Sequence, residues 1–199
     1  MVANAAEMNV EAAASFSHAL STHRISNEID FFTALDDRPT EAGSAHMGSL
    51  EFNSATYYRY VSLDLGQLLQ TLRNAPEDLA QAVSTFTKAL FVAIPSARQT
   101  TQSGASPWEF AKVLIRKGQR LQVPFETAVK PSGGGYLKPS KETLKTYLDT
   151  KKKLFGSLFG EITAYEWGED ETFSVDVLTS QLAKTPSELA QEASQEANG

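Results

Sequence analysis

The sequence contains no cysteine, which excludes disulfide bonds, thiol nucleophiles and thiolate metal sites. It has no apolar run long enough to span a bilayer, and its N-terminus lacks the basic-then-apolar order of a secretory signal. Histidine is scarce as well, at His18, His23 and His46. With 199 residues, 41% of them apolar, the chain has the composition of one globular domain, and we expect it in the cytoplasm with no membrane partner.

Sequence patterns that mark an enzyme are missing too. There is no HExxH, no GxSxG and no Gly-Lys-Ser/Thr P-loop. The histidines could join nearby aspartates in a metal or hydrolytic cluster, but His18 and His23 are five residues apart and would face opposite sides of a continuous strand. Asp36 and Asp37 stand near Pro39, where paired acids are typical of a turn. We therefore predict a non-catalytic protein without a cofactor, and a metal-dependent nuclease is the least favoured alternative.

Charge is unevenly distributed along the chain, whose net charge is −6. Residues 1–64 hold 3 basic and 9 acidic side chains, residues 65–160 hold 14 and 6, and residues 161–199 hold 1 and 9, giving segment charges of −6, +8 and −8. A basic middle can supply the phosphate contacts that dominate nucleic-acid affinity, while acidic ends limit non-specific binding. A solvated surface with uneven charge fits the same pattern, so charge alone leaves both interpretations open.

The spacing of apolar residues predicts an α+β chain. Four segments have the alternation, or the β-branched and aromatic composition, of strands: 14–21, 55–64, 108–117 and 161–167. A short apolar-periodic run follows the second strand, and Pro76 begins a longer helical pattern that extends to residue 92. The run of valine, leucine and isoleucine inside 108–117 predicts burial on both faces of that strand.

Three consecutive glycines mark the segment PSGGGYLKPS at 131–140. Such a loop can let the backbone approach a ligand closely, but it is more often a plain flexible connection. Ser140 can then cap a helix that reaches Phe155, with three lysines, 151–153, in its later turns.

Two adjacent phenylalanines, Phe31 and Phe32, stand at the edge of a long polar run rich in Gly, Ser and Ala. On a strand, alternation buries one of two neighbouring rings and leaves the other in water. The composition of the run gives no reason for the second ring and leaves its role open.

Short segments spread over residues 1–165 resemble CasC, the backbone subunit of type I-E Cascade, a CRISPR surveillance complex. In family order they are SHALSTH, IDFFTALDD, GSAHMGSLEFNS, YYRY, IPSARQT and PFETAVK. The resemblance implies a non-catalytic subunit of an antiviral ribonucleoprotein, whose copies line up along the CRISPR RNA (crRNA) and hold its guide segment for pairing with target DNA. The implied partners are crRNA, target DNA through the crRNA, copies of the subunit itself and other Cascade subunits.

The resemblance also implies the fold: a partial RRM-like (ferredoxin-like) palm with a long β-hairpin thumb. Residues 1–173 would form the C-terminal part of the palm, with the thumb inserted at 22–54, and residues 174–199 a C-terminal helix and a frayed acidic tail. The N-terminal palm elements and the fingers of the family would precede Met1, so we expect them to be missing here.

The RNA-contacting residues that the resemblance implies lie mostly on the thumb, which flips a base out of the guide at regular intervals. Those on the thumb are Phe31, Phe32, Thr33, Leu35 and Met47, and those elsewhere are Met1, His18, Arg98, Gln99 and Lys130. An apolar wedge displaces a base without reading its identity. One ring can instead anchor the hairpin to its own palm or to an adjacent subunit, and we divide the pair in that way, with Phe32 on nucleic acid and Phe31 on protein.

A module that binds only proteins is the alternative from another functional class. In that case the hairpin docks on neighbouring subunits and the basic segment is merely solvated. Salt separates the two hypotheses, because phosphate binding weakens steeply as ions are added and apolar docking does not.

Overall fold

The computed structural model describes residues 10–34, 46–72, 75–93 and 106–188, with the backbone alone at 32–34 and 46–47. The described chain is α+β. Its strands are β1 (Ala14–Phe16), β2 (Leu20–Ser21), β3 (Glu28–Ala34), β4 (His46–Phe52), β5 (Tyr57–Tyr58), β6 (Val61–Leu63), β7 (Ala111–Arg116) and β8 (Glu161–Trp167). Its helices are α1 (Leu65–Thr71), α2 (Leu79–Val92), α3 (Leu137–Phe155) and α4 (Val175–Leu182), with 3-10 turns at Pro76–Asp78 and Gly156–Phe159.

All pairing among these strands is antiparallel and forms two-stranded sheets: β1 with β6, β2 with β5, β3 with β4, and β7 with β8. Residue contacts divide the chain into two compact units. The first contains β1, β6 to β8 and helices α1, α2 and α4, and the second contains β2 to β5 and most of α3. None of the helices in the described part of the chain combines the length and apolar composition needed to cross a membrane.

The core of the first unit is a meeting of two helices and a sheet. Val83 of α2 and Leu178 and Leu182 of α4 are buried together. Their spacing of four residues along α4 puts both leucines on one helix face, as amphipathic helices require. Side chains of the β7–β8 sheet pack against this cluster: Val113, Ile115, Tyr165 and Trp167. The helix predicted after Pro76 is confirmed, although it opens with a 3-10 turn.

The strands predicted at 108–117 and 161–167 are confirmed as β7 and β8. Every residue of β7 is half-buried, so the burial predicted on both faces is only partial. One reason is that Lys112 on β7 pairs with Glu166 on β8, directly opposite in the register, at 2.8 Å. A strand that carries such an ion pair keeps that position near water.

The strands predicted at 14–21 and 55–64 are each broken into two. Three residues, 17–19, separate β1 from β2, whereas two residues, 59–60, separate β5 from β6. At this mismatch Ser17 donates its N–H to the Tyr60 carbonyl (2.9 Å), and its hydroxyl accepts the Tyr60 N–H (2.9 Å). The Ser17 hydroxyl thus takes the place of a backbone carbonyl as the acceptor of the Tyr60 N–H, at the point where the pairing of the two chain segments is interrupted.

The helix predicted to be capped by Ser140 begins three residues earlier, at Leu137. Capping by Ser140 is therefore wrong: the residue is buried in the first turn, and its hydroxyl donates to the Tyr136 carbonyl (2.6 Å). Pro139 does not prevent this earlier start, because N–H groups in the first turn of a helix have no intrahelical acceptor.

Candidate nucleic-acid interface

A regular hairpin, β3–β4, occupies the middle of the predicted thumb. Seven residue pairs hold it, from Glu28 opposite Phe52 to Ala34 opposite His46. Isoleucine, phenylalanine and threonine in β3 favour strand conformation, and alternate residues face opposite sides. Residues 35–45, which join the two strands, lie outside the described residues and include the candidate Leu35.

Two different faces result from this register. One, the Phe31 face, consists of residues 29, 31 and 33 of β3 and their partners 51, 49 and 47 of β4. On it Ile29 and Phe31 are 50% and 75% exposed, values far above those usual for side chains of this size. Phe31 therefore presents an aromatic surface to water on a well-paired strand.

The other, the Asp30 face, consists of residues 28, 30, 32 and 34 and their partners 52, 50, 48 and 46. Glu28 and Asp30 are exposed on it, and Leu50 and Phe52 are half-buried. The hairpin strands contain three carboxylates and no lysine or arginine, and two of those carboxylates are on this face. Phosphate is therefore repelled more strongly by the Asp30 face than by the Phe31 face.

The register separates two residues that the sequence placed in one wedge. Met47 is opposite Thr33, so it shares a face with Phe31, whereas Phe32 is opposite Gly48 on the Asp30 face. The assignment of Phe32 to nucleic acid and Phe31 to protein stays a prediction, because the side chains at 32, 33 and 47 are not described. A single contact surface on this ribbon would combine Phe31, Thr33 and Met47.

The hairpin is tied to the rest of its unit at Thr22, which precedes β3 and is buried. Its N–H donates to the Thr56 carbonyl (3.0 Å), and its carbonyl accepts the Val129 N–H (2.9 Å). Its hydroxyl lies 2.7 Å from the Ser140 hydroxyl. Each hydroxyl also lies within hydrogen-bond distance of a backbone carbonyl, Thr22 of Thr56 (3.2 Å) and Ser140 of Tyr136 (2.6 Å), so either hydroxyl can be the donor within this buried pair.

His23, the next residue, anchors the same end of the hairpin. We call Thr22 and His23, with their partners Ser140 and Tyr136, the hairpin root. Its ring stacks on Tyr136, with centroids 3.7 Å apart and planes 13° from parallel. Nε2 accepts the Thr56 N–H (3.1 Å), and Nδ1 lies 2.9 Å from the Arg24 carbonyl. Only a nitrogen without a proton can accept, so this geometry requires the tautomer protonated at Nδ1. His23 is therefore a structural residue of the hairpin root.

A second group of aromatic contacts supports the strand that returns from the hairpin. Tyr58 in β5 accepts the N–H of buried Val123 at its hydroxyl (3.2 Å), and its ring packs on Phe125, with centroids 5.0 Å apart. Burial raises the pKa of the Tyr58 hydroxyl above its usual value, and the Val123 hydrogen bond opposes that shift. Phe125 has a positive φ of 45°, which a non-glycine residue adopts only under tertiary constraint.

Replacing Thr22 by valine should lower the free energy of unfolding by about 1 to 3 kcal/mol, because a buried hydroxyl pair is broken and Ser140 loses a hydrogen-bond partner. Chemical denaturation monitored by circular dichroism measures this change. Thr143→Val is the matched control, since the Thr143 hydroxyl makes a similar bond to a carbonyl on an exposed surface (2.8 Å). Equal losses in both variants would contradict a special role for the hairpin root.

The remaining sequence candidates are scattered. His18 is exposed between β1 and β2, and Lys130 is exposed just before the glycine segment. That segment is a closed turn, in which Ser132 and Gly135 exchange both backbone hydrogen bonds (2.9 and 3.2 Å) around two residues of positive φ. Its amides are thus occupied at Ser132 and Gly135. Met1, Arg98 and Gln99 lie outside the described residues.

Sequence reasoning missed the residues of the hairpin root, because Thr22 and Ser140 are 118 positions apart and nothing local in the sequence links them. In the described part of the chain, no three His, Asp or Glu side chains come together in a way that could hold a metal ion.

Comparison with solved structures finds the same fold in chains of CRISPR RNA-guided surveillance complexes. One, from a pre-nicking complex, has a TM-score of 0.73 and 23% identity over 94% of this chain. Another has a TM-score of 0.73 and 24% identity over 93% of this chain. The matches cover 53% and 75% of those two chains, so this chain spans about half the length of the first.

A comparison with curated proteins found no match. The family model for CT1975-like proteins, by contrast, matches residues 1–191, which is nearly the whole sequence. Together with the shared fold, this match confirms the resemblance to the Cascade backbone subunit. The chain belongs to the CT1975-like protein family.

Proposed function

We propose that this chain is a non-catalytic backbone subunit of a type I-E Cascade ribonucleoprotein. It binds crRNA along the guide segment and presents that segment for pairing with target DNA in antiviral defence. Its partners are crRNA, target DNA through the crRNA, further copies of the subunit and other Cascade subunits. The fold shared with chains of RNA-guided surveillance complexes and the family match support this proposal.

The exposed Phe31 on a paired hairpin is the observation that carries the proposal. An aromatic ring that is 75% exposed at a position held by seven strand pairs is oriented before any ligand arrives. Stacking on such a ring is open to every base, because each base has a π-face. Base pairing by the guide then supplies all sequence specificity.

The register supports a wedge on the Phe31 face. Phe31, Thr33 and Met47 share that face, and its one carboxylate, Glu51, accepts a hydrogen bond from the Asn27 side chain (3.3 Å) at the root end. The opposite face carries Glu28 and Asp30, whose charges disfavour an approaching phosphate. We therefore place the displaced base against Phe31, and Phe32 on the side away from it.

The proposed domain division follows the family. Residues 1–173 form the C-terminal part of an RRM-like palm, with the thumb at 22–54, and residues 174–199 form a C-terminal helix and tail. The packing of α2, and of α4 from the C-terminal segment, on the β7–β8 sheet is consistent with such a palm, in which helices cover one face of a sheet.

Guide-RNA affinity should fall steeply with salt. If at least three of the 14 basic side chains in residues 65–160 neutralise phosphates, log K against log salt has a slope of about −2 or steeper, at about −0.7 per contact on a single strand. Fluorescence anisotropy with a labelled guide RNA measures this slope. A flat dependence would favour the module that binds only proteins.

One lysine variant tests the assignment of a phosphate contact outside the hairpin. Lys130→Ala should reduce the slope by about 0.7, because one counterion fewer is released. Lys184→Ala is the control, since Lys184 lies in the acidic C-terminal segment and bonds to Gln181 (2.7 Å). An unchanged slope for Lys130→Ala would remove this residue from the RNA surface.

A further inference from the structure

The segment that contains the three consecutive glycines contacts the base of the hairpin both before and after its turn. We call the residues from Val129 to Ser140 the glycine-turn segment, and they belong to the same compact unit as the hairpin. Before the turn, the Val129 N–H donates to the Thr22 carbonyl (2.9 Å). After it, the Tyr136 ring stacks on His23, and the Ser140 hydroxyl lies 2.7 Å from that of Thr22. One short segment therefore contacts two consecutive residues of the hairpin root at three places.

The turn itself explains how the chain returns to the root. Gly133 and Gly134 have φ of +59° and +82°, the left-handed conformation that both central residues of a type I′ turn require. A Cβ at either glycine would meet no described atom within 4 Å, so a close approach is not what these two positions need glycine for. The glycines reverse the chain and thereby bring Tyr136 against His23.

The two legs of the hairpin are joined to each other at the same place. Thr56, on the returning leg, accepts the Thr22 N–H at its carbonyl (3.0 Å) and donates its own N–H to His23 Nε2 (3.1 Å). Thr22 and His23 therefore connect the outgoing leg both to the returning leg and to the glycine-turn segment. A two-stranded ribbon is only marginally stable by itself, so the contacts at its base hold its direction.

The length of the hairpin amplifies any change at this base. Phe31 lies eight residues after His23, which corresponds to at most about 26 Å at about 3.3 Å per extended residue. A rotation of about 10° at the root then moves the Phe31 ring by as much as about 4 Å. Such a displacement is enough to lose a stacking contact, because stacked rings have centroids about 4.5 to 7 Å apart.

We infer that Tyr136 is a positioning residue for the hairpin: by stacking on His23 it sets the direction in which Phe31 is presented, without contacting RNA itself. The inference rests on the proposed function, since the direction of the hairpin affects RNA affinity only if Phe31 contacts RNA. It also gives the glycine-turn segment a role that is neither ligand binding nor flexible connection, namely to hold Tyr136 against the hairpin.

The direction of the hairpin can be measured without RNA, because the chain contains no cysteine and two can be introduced to carry spin labels. Asp30→Cys places one label on the hairpin, and Thr146→Cys places the other at an exposed position of α3. Pulsed electron paramagnetic resonance should give a narrow distribution of label distances. Tyr136→Ala should broaden this distribution, and Tyr136→Phe should leave it unchanged because phenylalanine retains the stacked ring. An unchanged distribution in Tyr136→Ala overturns the inference.

Guide-RNA affinity, measured by fluorescence anisotropy, tests whether this direction matters for binding. Tyr136→Ala should weaken binding about 3- to 10-fold, because a hairpin that is correctly directed only part of the time binds in proportion to that fraction. In a Phe31→Ala background the same substitution should have no further effect, since the ring that it positions is gone. A loss of equal size in that background overturns the inference, because Tyr136 would then act on RNA directly or through the whole fold. Normal affinity in Phe31→Ala alone instead contradicts the proposed function.

Gly134→Val makes the same test from the turn, and it carries the test if Tyr136→Ala does not fold. Valine is strained at a φ of +82°, but its Cβ meets no described atom there, so the turn is distorted without a clash. Broadened label distances and weaker RNA binding are expected, with circular dichroism to verify the fold. Unchanged distances in a folded Gly134→Val variant overturn the inference.

Discussion

Gly160→Ala is expected to destabilise the protein by about 3 to 5 kcal/mol, since it combines a strained backbone with a clash in a packed region. Gly160 has a φ of +65°, and a Cβ there would lie 1.9 Å from the Lys117 carbonyl oxygen. The two backbones meet here because the Lys117 N–H donates to the Gly160 carbonyl (2.8 Å) at the end of the β7–β8 sheet. Relieving the clash requires opening that sheet.

The matched control for this prediction is Gly156→Ala, four residues earlier. Gly156 has a similar φ of +53°, but a Cβ there would meet nothing within 4 Å. Its replacement should lower the free energy of unfolding only by the cost of holding alanine in the left-handed backbone conformation, about 1 to 2 kcal/mol. Chemical denaturation of both variants measures the difference. If both variants lost the same free energy of unfolding, the close approach of Gly160 to Lys117 would make no contribution to stability.

Phe31→Ala should weaken guide-RNA binding by about 10- to 100-fold, because one stacking contact with a base contributes about 1 to 3 kcal/mol. The fold should be unaffected, since the ring is exposed and packs on no core. Fluorescence anisotropy with a labelled guide gives the affinity, and circular dichroism verifies that the strand content is retained.

Phe32→Ala is the matched control, the same substitution at the neighbouring residue on the opposite face of the hairpin. We expect it to lower RNA affinity much less than Phe31→Ala does. A larger loss for Phe32→Ala would support the assignment of Phe32 to nucleic acid that the resemblance implied. Normal affinity in both variants would remove the hairpin from the RNA surface altogether.

The parts of the fold that could be predicted are those with local causes. Strand β8 was predicted with its observed bounds because β-branched and aromatic residues lie between glycines at 160 and 168. The break between β1 and β2 could not be predicted, because it depends on a hydrogen bond between the Ser17 side chain and Tyr60, 43 residues away. Likewise, the sequence predicts Ser140 as a helix cap, but in the folded chain its hydroxyl forms hydrogen bonds with Thr22 and Tyr136.

The candidate site shows the same limit. The resemblance located the hairpin and its aromatic pair, yet which residues share a face depends on how β3 pairs with β4. A shift of one position in register, in either direction, would put Phe32 instead of Phe31 on the same face as Met47. The observed register, with Thr33 opposite Met47, decides which ring accompanies Met47. The root residues Thr22, His23 and Tyr136 are recognised only through contacts between distant segments.

Photo-crosslinking from the hairpin tests the central claim most directly. A p-benzoylphenylalanine probe is placed at Phe31 or, separately, at Phe32, and the subunit is assembled with guide RNA and irradiated. The account predicts RNA adducts from position 31, at regularly spaced nucleotides of the guide, and protein adducts from position 32. Protein adducts from both positions, with no RNA attached to either, would contradict it.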